Sequence, residues 1–328
     1  MKPTHRHPLA ALLVVILIAA CGASTGDAGP VPTPPIEPDP SVATGSPDPT
    51  PGPATTPTPS EIASTSPSTS AGPTPTASPA GTTIVRAYFF LDDPTGGDPK
   101  LVAVLREIPR TRAVASASMN ALLAGPTDKE AAAGPNITTA IPDGVKLLGL
   151  KVENRVATVD LSREFESGGG TASVVGRLAQ VVYTLTQFSN VDSVRFMLDG
   201  EPVEVFGSQG IVLNGPVGRA QYRDQLPAIF ADRPVWGAAL GNPGRVAGLA
   251  NVFEATFRIS LFDGGGHRLL DKMQMADCGS GCWGTFDTTL AYEVSKAQWG
   301  TLRVYNPSAK DGTPEDIREY PVWLTPAG

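Results

Sequence analysis

The stretch Val145-Lys146-Leu147-Leu148-Gly149-Leu150-Lys151-Val152-Glu153-Asn154-Arg155-Val156-Ala157-Thr158-Val159-Asp160-Leu161 decides how the chain is read. Its halves are rich in β-branched and aliphatic residues, free of proline, and separated by polar residues. Strands over Val145–Val152 and Arg155–Leu161, joined tightly at Glu153-Asn154, are therefore predicted as a hairpin. On the C-terminal side, Val174, Leu178, Val181, Val182, Leu185 and Phe188 recur at helical spacing. Ser193–Leu198 then reads as a strand, Asp199-Gly200 as a type I′ turn, and Pro202–Phe206 as the returning strand. On the N-terminal side, Ile84–Leu91 and Leu101–Ile108 read as strands around a Pro/Gly loop at Asp92–Pro99. Ala115, Met119, Leu122 and Leu123 then mark a helix that Gly125-Pro126 ends. The order strand, strand, helix, strand, strand, helix, strand, strand predicts an α+β domain over 84–222. In it, two helices cover one face of a mixed sheet.

Several motifs in this part are spaced as in a known family. They are Ala121-Leu122-Leu123-Ala124-Gly125-Pro126-Thr127, Thr139-Ala140-Ile141-Pro142-Asp143-Gly144 and Leu147–Asn154 with Val156–Ser162. Val182-Tyr183-Thr184-Leu185-Thr186-Gln187-Phe188 and Val194–Gly200 complete the set. Together they resemble GerMN, the sporulation and spore-germination domain, over nearly the whole domain. The resemblance implies an envelope protein and transfers no catalytic residue.

Residues 228–326 read as a second domain. Phe253, Ala255, Phe257, Ile259 and Leu261 alternate with Thr256, Arg258 and Ser260, which predicts a half-buried strand. Asp263-Gly264-Gly265-Gly266 turns the chain, and His267–Met275 pairs back. Further strands are expected at Pro234–Ala239, Arg245–Ala250, Trp283–Ala291, Thr301–Tyr305 and Ile317–Trp323. Short strands between turn signals predict an immunoglobulin-like β-sandwich. The segments Val246–Ala255 and Tyr305–Gly312 resemble the immunoglobulin-like domain that accompanies GerMN in germination and sporulation proteins.

Before both domains, Lys2 and Arg6 precede an apolar run from Leu9 to Ala20. That run is too short to span a bilayer core of about 30 Å. With Leu17-Ile18-Ala19-Ala20-Cys21 it resembles a lipoprotein signal: residues 1–20 are expected to be cleaved and Cys21 lipidated, anchoring the chain extracytoplasmically to the membrane. Residues 21–83 are mostly Pro, Thr, Ser, Ala and Gly and hold about half of the 33 prolines. Too little apolar surface is present there to offset chain entropy, so a disordered tether is expected.

The net charge is −7. Without Lys2 and Arg6 the chain carries 23 basic and 32 acidic residues, a net of −9. Asp27, Glu37, Asp39, Asp48 and Glu61 place five of those charges in the tether. No clustered Lys/Arg patch speaks for nucleic acid. Cys278 and Cys282, spaced by Gly-Ser-Gly, are expected to form a disulfide in an exported protein, with free thiols or a metal site as the alternatives. A zinc site needs about four N or S ligands, and His267 is the one histidine outside the leader. No cofactor, metal site or catalytic residue is read from the sequence.

The residues that invite a catalytic reading are His267, the carboxylates Asp160, Glu164 and Glu166, and the Ser167-Gly168-Gly169-Gly170 run. His267 could serve a nucleophile, yet it follows three glycines at a turn. The carboxylates could cleave glycans, yet they sit where a solvated loop is expected. The glycine run could cradle an anion, yet lacks a Walker lysine. Asn136-Ile137-Thr138 matches a glycosylation sequon by pattern alone. Trp236, Trp283, Trp299 and Trp323 all fall in the sandwich; some are expected in the core, and one or two on a ligand face. The expectation is a non-enzymatic envelope lipoprotein that binds protein or cell-wall partners, linked by resemblance to sporulation or germination. The alternatives are a cell-wall hydrolase or its activator, favoured by buried carboxylates in a cleft, and a ligand-sensing subunit of a transporter or signalling system, favoured by a large apolar pocket between the domains.

Overall fold

The computed structural model describes residues 81–132, 135–207 and 210–327. Residues 1–80, with the expected leader, Cys21 and most of the Pro-rich segment, lie outside the described residues.

The α+β part opens with β1 (Thr82–Leu91) and β2 (Lys100–Pro109), an antiparallel hairpin. Next come α1 (Val114–Leu123), a one-turn α2 (Asp128–Ala131) and β3 (Ile137–Thr138), which pairs with Phe90 and Leu91. β4 (Leu147–Glu153) and β5 (Val156–Leu161) form the second hairpin. Then α3 (Thr171–Leu185) leads to β6 (Ser193–Leu198), which lies parallel to β5, and β7 (Glu201–Pro202). Two short strands, β8 (Val205–Phe206) and β9 (Ile211–Val212), form a separate ribbon.

The mixed sheet is present as β4-β5-β6-β7, but the first hairpin forms its own sheet, β2-β1-β3. Both helices touch both sheets, so their apolar stripes are shared between two sheets instead of covering one. Met119 and Leu122 of α1 and Val174, Leu178, Val181, Val182 and Leu185 of α3 are buried. At the β4–β5 turn it is Asn154 and Arg155, φ 49° and 63°, that take the left-handed conformation. The turn is thus centred one residue later than Glu153-Asn154. Asp199 and Gly200, φ 50° and 83°, form the other turn in the left-handed pair that type I′ geometry requires.

Beyond Phe90 and Leu91, β3 no longer covers β1, and side chains of α3 and of the turn after it take its place. Gln187 accepts from the Arg86 amide and donates to the Arg86 carbonyl, both at 2.8 Å. Thr184 accepts from the Tyr88 amide at 3.2 Å, and Gln180 donates to the Tyr88 carbonyl at 2.8 Å. Gln180 and Thr184 lie one turn apart on α3 and Gln187 follows just beyond its end, so a row of polar side chains satisfies backbone groups that would otherwise be buried without partners. α2 is fixed by a capping box between Thr127 and Glu130. Glu130 also takes a bidentate pair from Arg106, both bonds at 2.7 Å.

The sandwich comprises β10 (Ile229–Arg233), β11 (Ala239–Leu240), β12 (Gly244–Ala250), β13 (Thr256–Phe262), β14 (Arg268–Met275), β15 (Gly284–Leu290), β16 (Gln298–Pro307) and β17 (Pro314–Leu324). They form sheets β10-β12-β15 and β11-β17-β16-β13-β14. Phe257, Ile259, Leu261, Phe286, Leu302, Val304, Tyr320 and Val322 fill the space between them, with Phe257 and Phe286 in an edge-to-face contact at 4.8 Å. Four strand expectations shift. Pro234–Ala239 is largely loop between β10 and β11. β16 and β17 are longer than Thr301–Tyr305 and Ile317–Trp323. Phe253 is not in the β13 row: Glu254 and Ala255 turn left-handed at φ 53° and 57°, leaving Phe253 62 % exposed.

A disulfide joins Cys278 and Cys282, with Cα atoms 5.8 Å apart. The enclosed loop grips that left-handed turn. Ser280 donates its amide to the Val252 carbonyl at 2.8 Å and accepts the Glu254 amide on its hydroxyl at 2.9 Å; the Gly281 amide donates to Asn251 Oδ1 at 3.1 Å. A Cβ at Gly279 would run into the Ala255 backbone.

The two domains share one continuous apolar core. At their junction Arg318 of β17 donates to Asp93 at 2.9 Å, with side chains only 6 % and 12 % exposed. Arg86 donates to Asp232 at 2.7 Å, and the Trp236 amide donates to the Ala103 carbonyl at 3.2 Å.

Candidate interaction face

Strand alternation decides which side chains of the five-stranded sheet face away from the core. In β16, Gly300, Leu302 and Val304 point inward, which sends Trp299, Thr301, Arg303 and Tyr305 outward. In β17, Tyr320, Val322 and Leu324 are buried, so Glu319, Pro321 and Trp323 share that outer face. In β13 the outward set is Arg258, Ser260 and Phe262, opposed in β14 by Met273 and Asp271.

Register then builds rows across the strands. Trp299 faces Trp323, their rings edge to face at 5.4 Å. Arg303 faces Glu319, with Nε donating at 2.7 Å, and its guanidinium lies 4.7 Å from the centre of the Phe262 ring. Arg258 pairs with Asp271 at 2.8 Å, which also accepts from Ser260 at 3.0 Å. These bonds hold Asp271 below its ordinary carboxyl range; the Arg258 hydrogen bond is the largest influence, and burial opposes it. Trp299, Met273 and Met275 stay 53 %, 63 % and 61 % exposed. Trp, Met and Arg are the residue types enriched where proteins meet. The ion pairs lock the arginines in place, so little side-chain entropy remains to be lost on contact. None of the four tryptophans is fully buried. Trp236 and Trp283 lean on the core, whereas Trp299 and Trp323 form the outward pair.

The residues that invited a catalytic reading are dispersed. The His267 side chain is 83 % exposed at its turn and meets Asp263 at 3.2 Å. Glu164 is exposed, and a hydrogen bond with Ser162 holds its carboxyl below the ordinary value. A general acid for glycan cleavage needs the opposite shift. Asp160 accepts the Gly200 amide at 3.0 Å, and Glu166 accepts the Gly207 amide at 2.9 Å. Glu166, Glu201 and Glu204 line a small cavity of about 180 Å³, with Glu201 and Glu204 exposed. The glycine run before α3 faces Arg177 through its carbonyls: Nη1 donates to Phe165 and Ser167 and Nη2 to Gly168, between 2.7 and 2.9 Å. Acceptors, not donors, are therefore turned toward that cation. Among the described residues no group of three or more His, Cys, Asp or Glu could hold a metal ion. None of their helices is long and apolar enough to cross a membrane.

Sequence alone missed the Trp299–Trp323 pairing, because nothing short of the β16–β17 register places them side by side. It also missed α2, although Thr127-Asp128-Lys129-Glu130 carries the capping-box pattern.

Comparison with known proteins matches residues 86–204 to the family Germane, described as sporulation and spore germination. Residues 228–313 match Gmad2, the immunoglobulin-like domain of bacterial spore germination. No curated protein matches the chain. Among solved structures, the chain is similar to the first GerMN domain of the sporulation protein GerM from Bacillus subtilis: 20 % identity over 42 % of this chain and 98 % of that one, TM-score 0.34. The tandem GerMN domains of the same protein match at 16 % identity over 64 % of this chain and 62 % of that one, TM-score 0.36. A Clostridium perfringens protein provisionally described as a lipoprotein matches at 19 % identity over 47 % of this chain and 98 % of that one, TM-score 0.30. Likeness at these TM-scores assigns nothing, and the two family matches carry the conclusion. The chain carries a Germane (GerMN) domain followed by an immunoglobulin-like domain of the bacterial spore-germination type.

Proposed function

We propose that this chain is a lipid-anchored, extracytoplasmic envelope protein that works by binding and not by catalysis. It presents the outer face of its five-stranded sheet to a protein or cell-wall partner. The observation that carries this reading is the outward-facing Trp299–Trp323 pair, with Trp299 53 % exposed and Arg303 over Phe262 on the same face. Interfaces draw most of their binding energy from a few such aromatic and arginine anchors. The leader expected at residues 1–20, directly before Cys21, supports the anchor, and the Pro-rich segment supports a standoff from the membrane. Both domain families are associated with sporulation and germination, which points to partners in that machinery. Crosslinking in intact cells, comparing the native chain with Trp299→Ala/Trp323→Ala, tests the reading: captured partners should be lost in the variant while the fold persists. Muropeptide release by the purified chain that a Glu164→Gln or Glu166→Gln change abolishes would replace binding with hydrolysis.

A further inference from the structure

Sequence and local structure disagree most sharply where β13 begins. Phe253, Ala255, Phe257, Ile259 and Leu261 alternate as one row, yet only the last three lie buried between the sheets. At Glu254 and Ala255 the backbone turns left-handed instead, φ 53° and 57°. That conformation is sterically unfavourable for residues other than glycine, and two in succession need an outside hold. Extension through 253–255 would set Phe253 on the side of the buried row, because alternate residues of a strand share a face. The segment thus has a second conformation written in its own sequence.

The hold comes from the ring that Cys278 and Cys282 close. Its Ser280 and Gly281 bond to Asn251, Val252 and Glu254, and its Gly279 packs so close that an added Cβ would collide with the Ala255 amide nitrogen. Without the ring the turn keeps the Ala255 amide on the Val252 carbonyl and the Thr256 hydroxyl on the Glu254 carbonyl, both at 3.1 Å. The flanks of the ring are fixed separately. The Asp277 amide donates to the Thr285 carbonyl at 3.0 Å, and the Thr285 amide and hydroxyl donate to the Asp277 carboxylate at 2.5 and 2.6 Å. Opening the disulfide therefore loosens the residues between these flanks and leaves β15 in place. Both cysteines are half-buried beside exposed Asp277, Ser280 and Gly281, within reach of a soluble thiol.

We propose that the Cys278–Cys282 disulfide is a redox switch for residues 253–255. Oxidised, it holds the left-handed turn that displays Phe253; reduced, it lets the chain extend into β13 and withdraw that ring. The reductant is a dithiol. One of its thiolates attacks a cysteine sulfur, and the other cysteine leaves as a thiolate and is protonated. The second thiolate of the reductant then displaces the first cysteine from the mixed disulfide. Two electrons pass to the protein, and the products are two cysteine thiols and a disulfide in the reductant. A local covalent change biasing a segment with two conformations is the general form of such switches.

The test uses the chain from residue 21 with Cys21→Ser, so that Cys278 and Cys282 are its only cysteines. It is followed by NMR in the oxidised form and after reduction with dithiothreitol. On reduction the backbone shifts of Glu254 and Ala255 should move from the left-handed to the extended range. The Phe253 ring should lose its broadening by a soluble paramagnetic agent. The Ser280 amide should exchange about tenfold faster, the scale of one lost hydrogen bond. The Phe257–Phe286 contact should persist, and glutathione disulfide should restore the first state. Gly279→Ala drives the ring off the Ala255 backbone with the disulfide intact, and should give the extended shifts without reductant. Left-handed shifts in the reduced parent chain, a disulfide that dithiothreitol does not open in the folded protein, an unmoved turn in Gly279→Ala, or loss of the Phe257–Phe286 contact on reduction would each overturn the proposal.

Discussion

Asp93→Ala tests how far the two domains behave as one body. Asp93 sits in the β1–β2 loop and accepts from Arg318 of the sandwich at 2.9 Å. With the carboxylate gone, Arg318 keeps the Ile317 carbonyl at 3.1 Å, while its Nε has no acceptor in the intact protein either. Removing one partner of a buried pair costs about 3–5 kcal/mol, because the remaining charge stays desolvated. Asp316 lies close enough to Arg318 to interact electrostatically and offsets part of that loss, so the expected cost is at the lower end, about 3 kcal/mol. For a folded part of this size each kcal/mol moves Tm by about 2–4 °C, which gives a fall of about 6–12 °C in calorimetry. The shared core further predicts that the native protein unfolds in one transition. The pH dependence follows from the same residue. Burial raises the Asp93 carboxyl, but hydrogen bonds from Thr95 and the Arg318 pair outweigh it, leaving the carboxyl below its ordinary value. A depressed carboxyl stabilises the fold above its unfolded pKa of about 3.9, and that stability is lost as pH falls through the folded value. The native protein should therefore lose more stability than Asp93→Ala between about pH 5 and pH 2. A Tm shift below about 2 °C with matching acid profiles would refute the claim that this pair couples the domains.

Other expectations are more local. Gln180→Leu strands the Tyr88 carbonyl and the Ala140 amide and should cost about 3 kcal/mol in denaturant unfolding, at about 1–3 kcal/mol for each stranded group. Cys278→Ser with Cys282→Ser opens a short ring worth about 2 kcal/mol on loop-length grounds; proteolysis should then begin near Asn251–Ala255, which that ring clamps, while the sandwich stays folded. Trp299→Ala should change stability by less than about 1 kcal/mol, since the ring is half exposed. Cys21→Ala should leave the membrane fraction, and a cleaved variant that still needs detergent for release would contradict the anchor.

Much of the fold was legible because local chemistry and tertiary demand agree there. Asp199-Gly200 reads as a left-handed turn and is one, and the apolar rows of α1 and α3 face the core as their spacing requires. Legibility fails where a residue answers to a distant partner. Gln180 on α3 and Gln187 just past its end carry no sequence signal, yet they complete the open edge of β1, whose neighbour β3 is only two residues long. Phe253 continues the apparent alternation of β13, but the docking of the Cys278–Cys282 loop bends Glu254 and Ala255 left-handed and turns it out. The candidate face was half legible. Four tryptophans in one domain raised the idea of a ligand surface, but only the β16–β17 register brings Trp299 to Trp323, and only the β13–β16 pairing sets Arg303 against Phe262.

The central claim is that the protein acts by engaging a partner through this aromatic face. The most direct measurement is site-specific photocrosslinking in intact cells, with the crosslinking residue at position 299 or, as a control, at position 289 on the exposed side of the opposite sheet. The account predicts a discrete adduct from position 299 that disappears when Trp323→Ala is added and is absent from position 289. Equal adducts from both positions, or an adduct at 299 that is indifferent to Trp323→Ala, would contradict it.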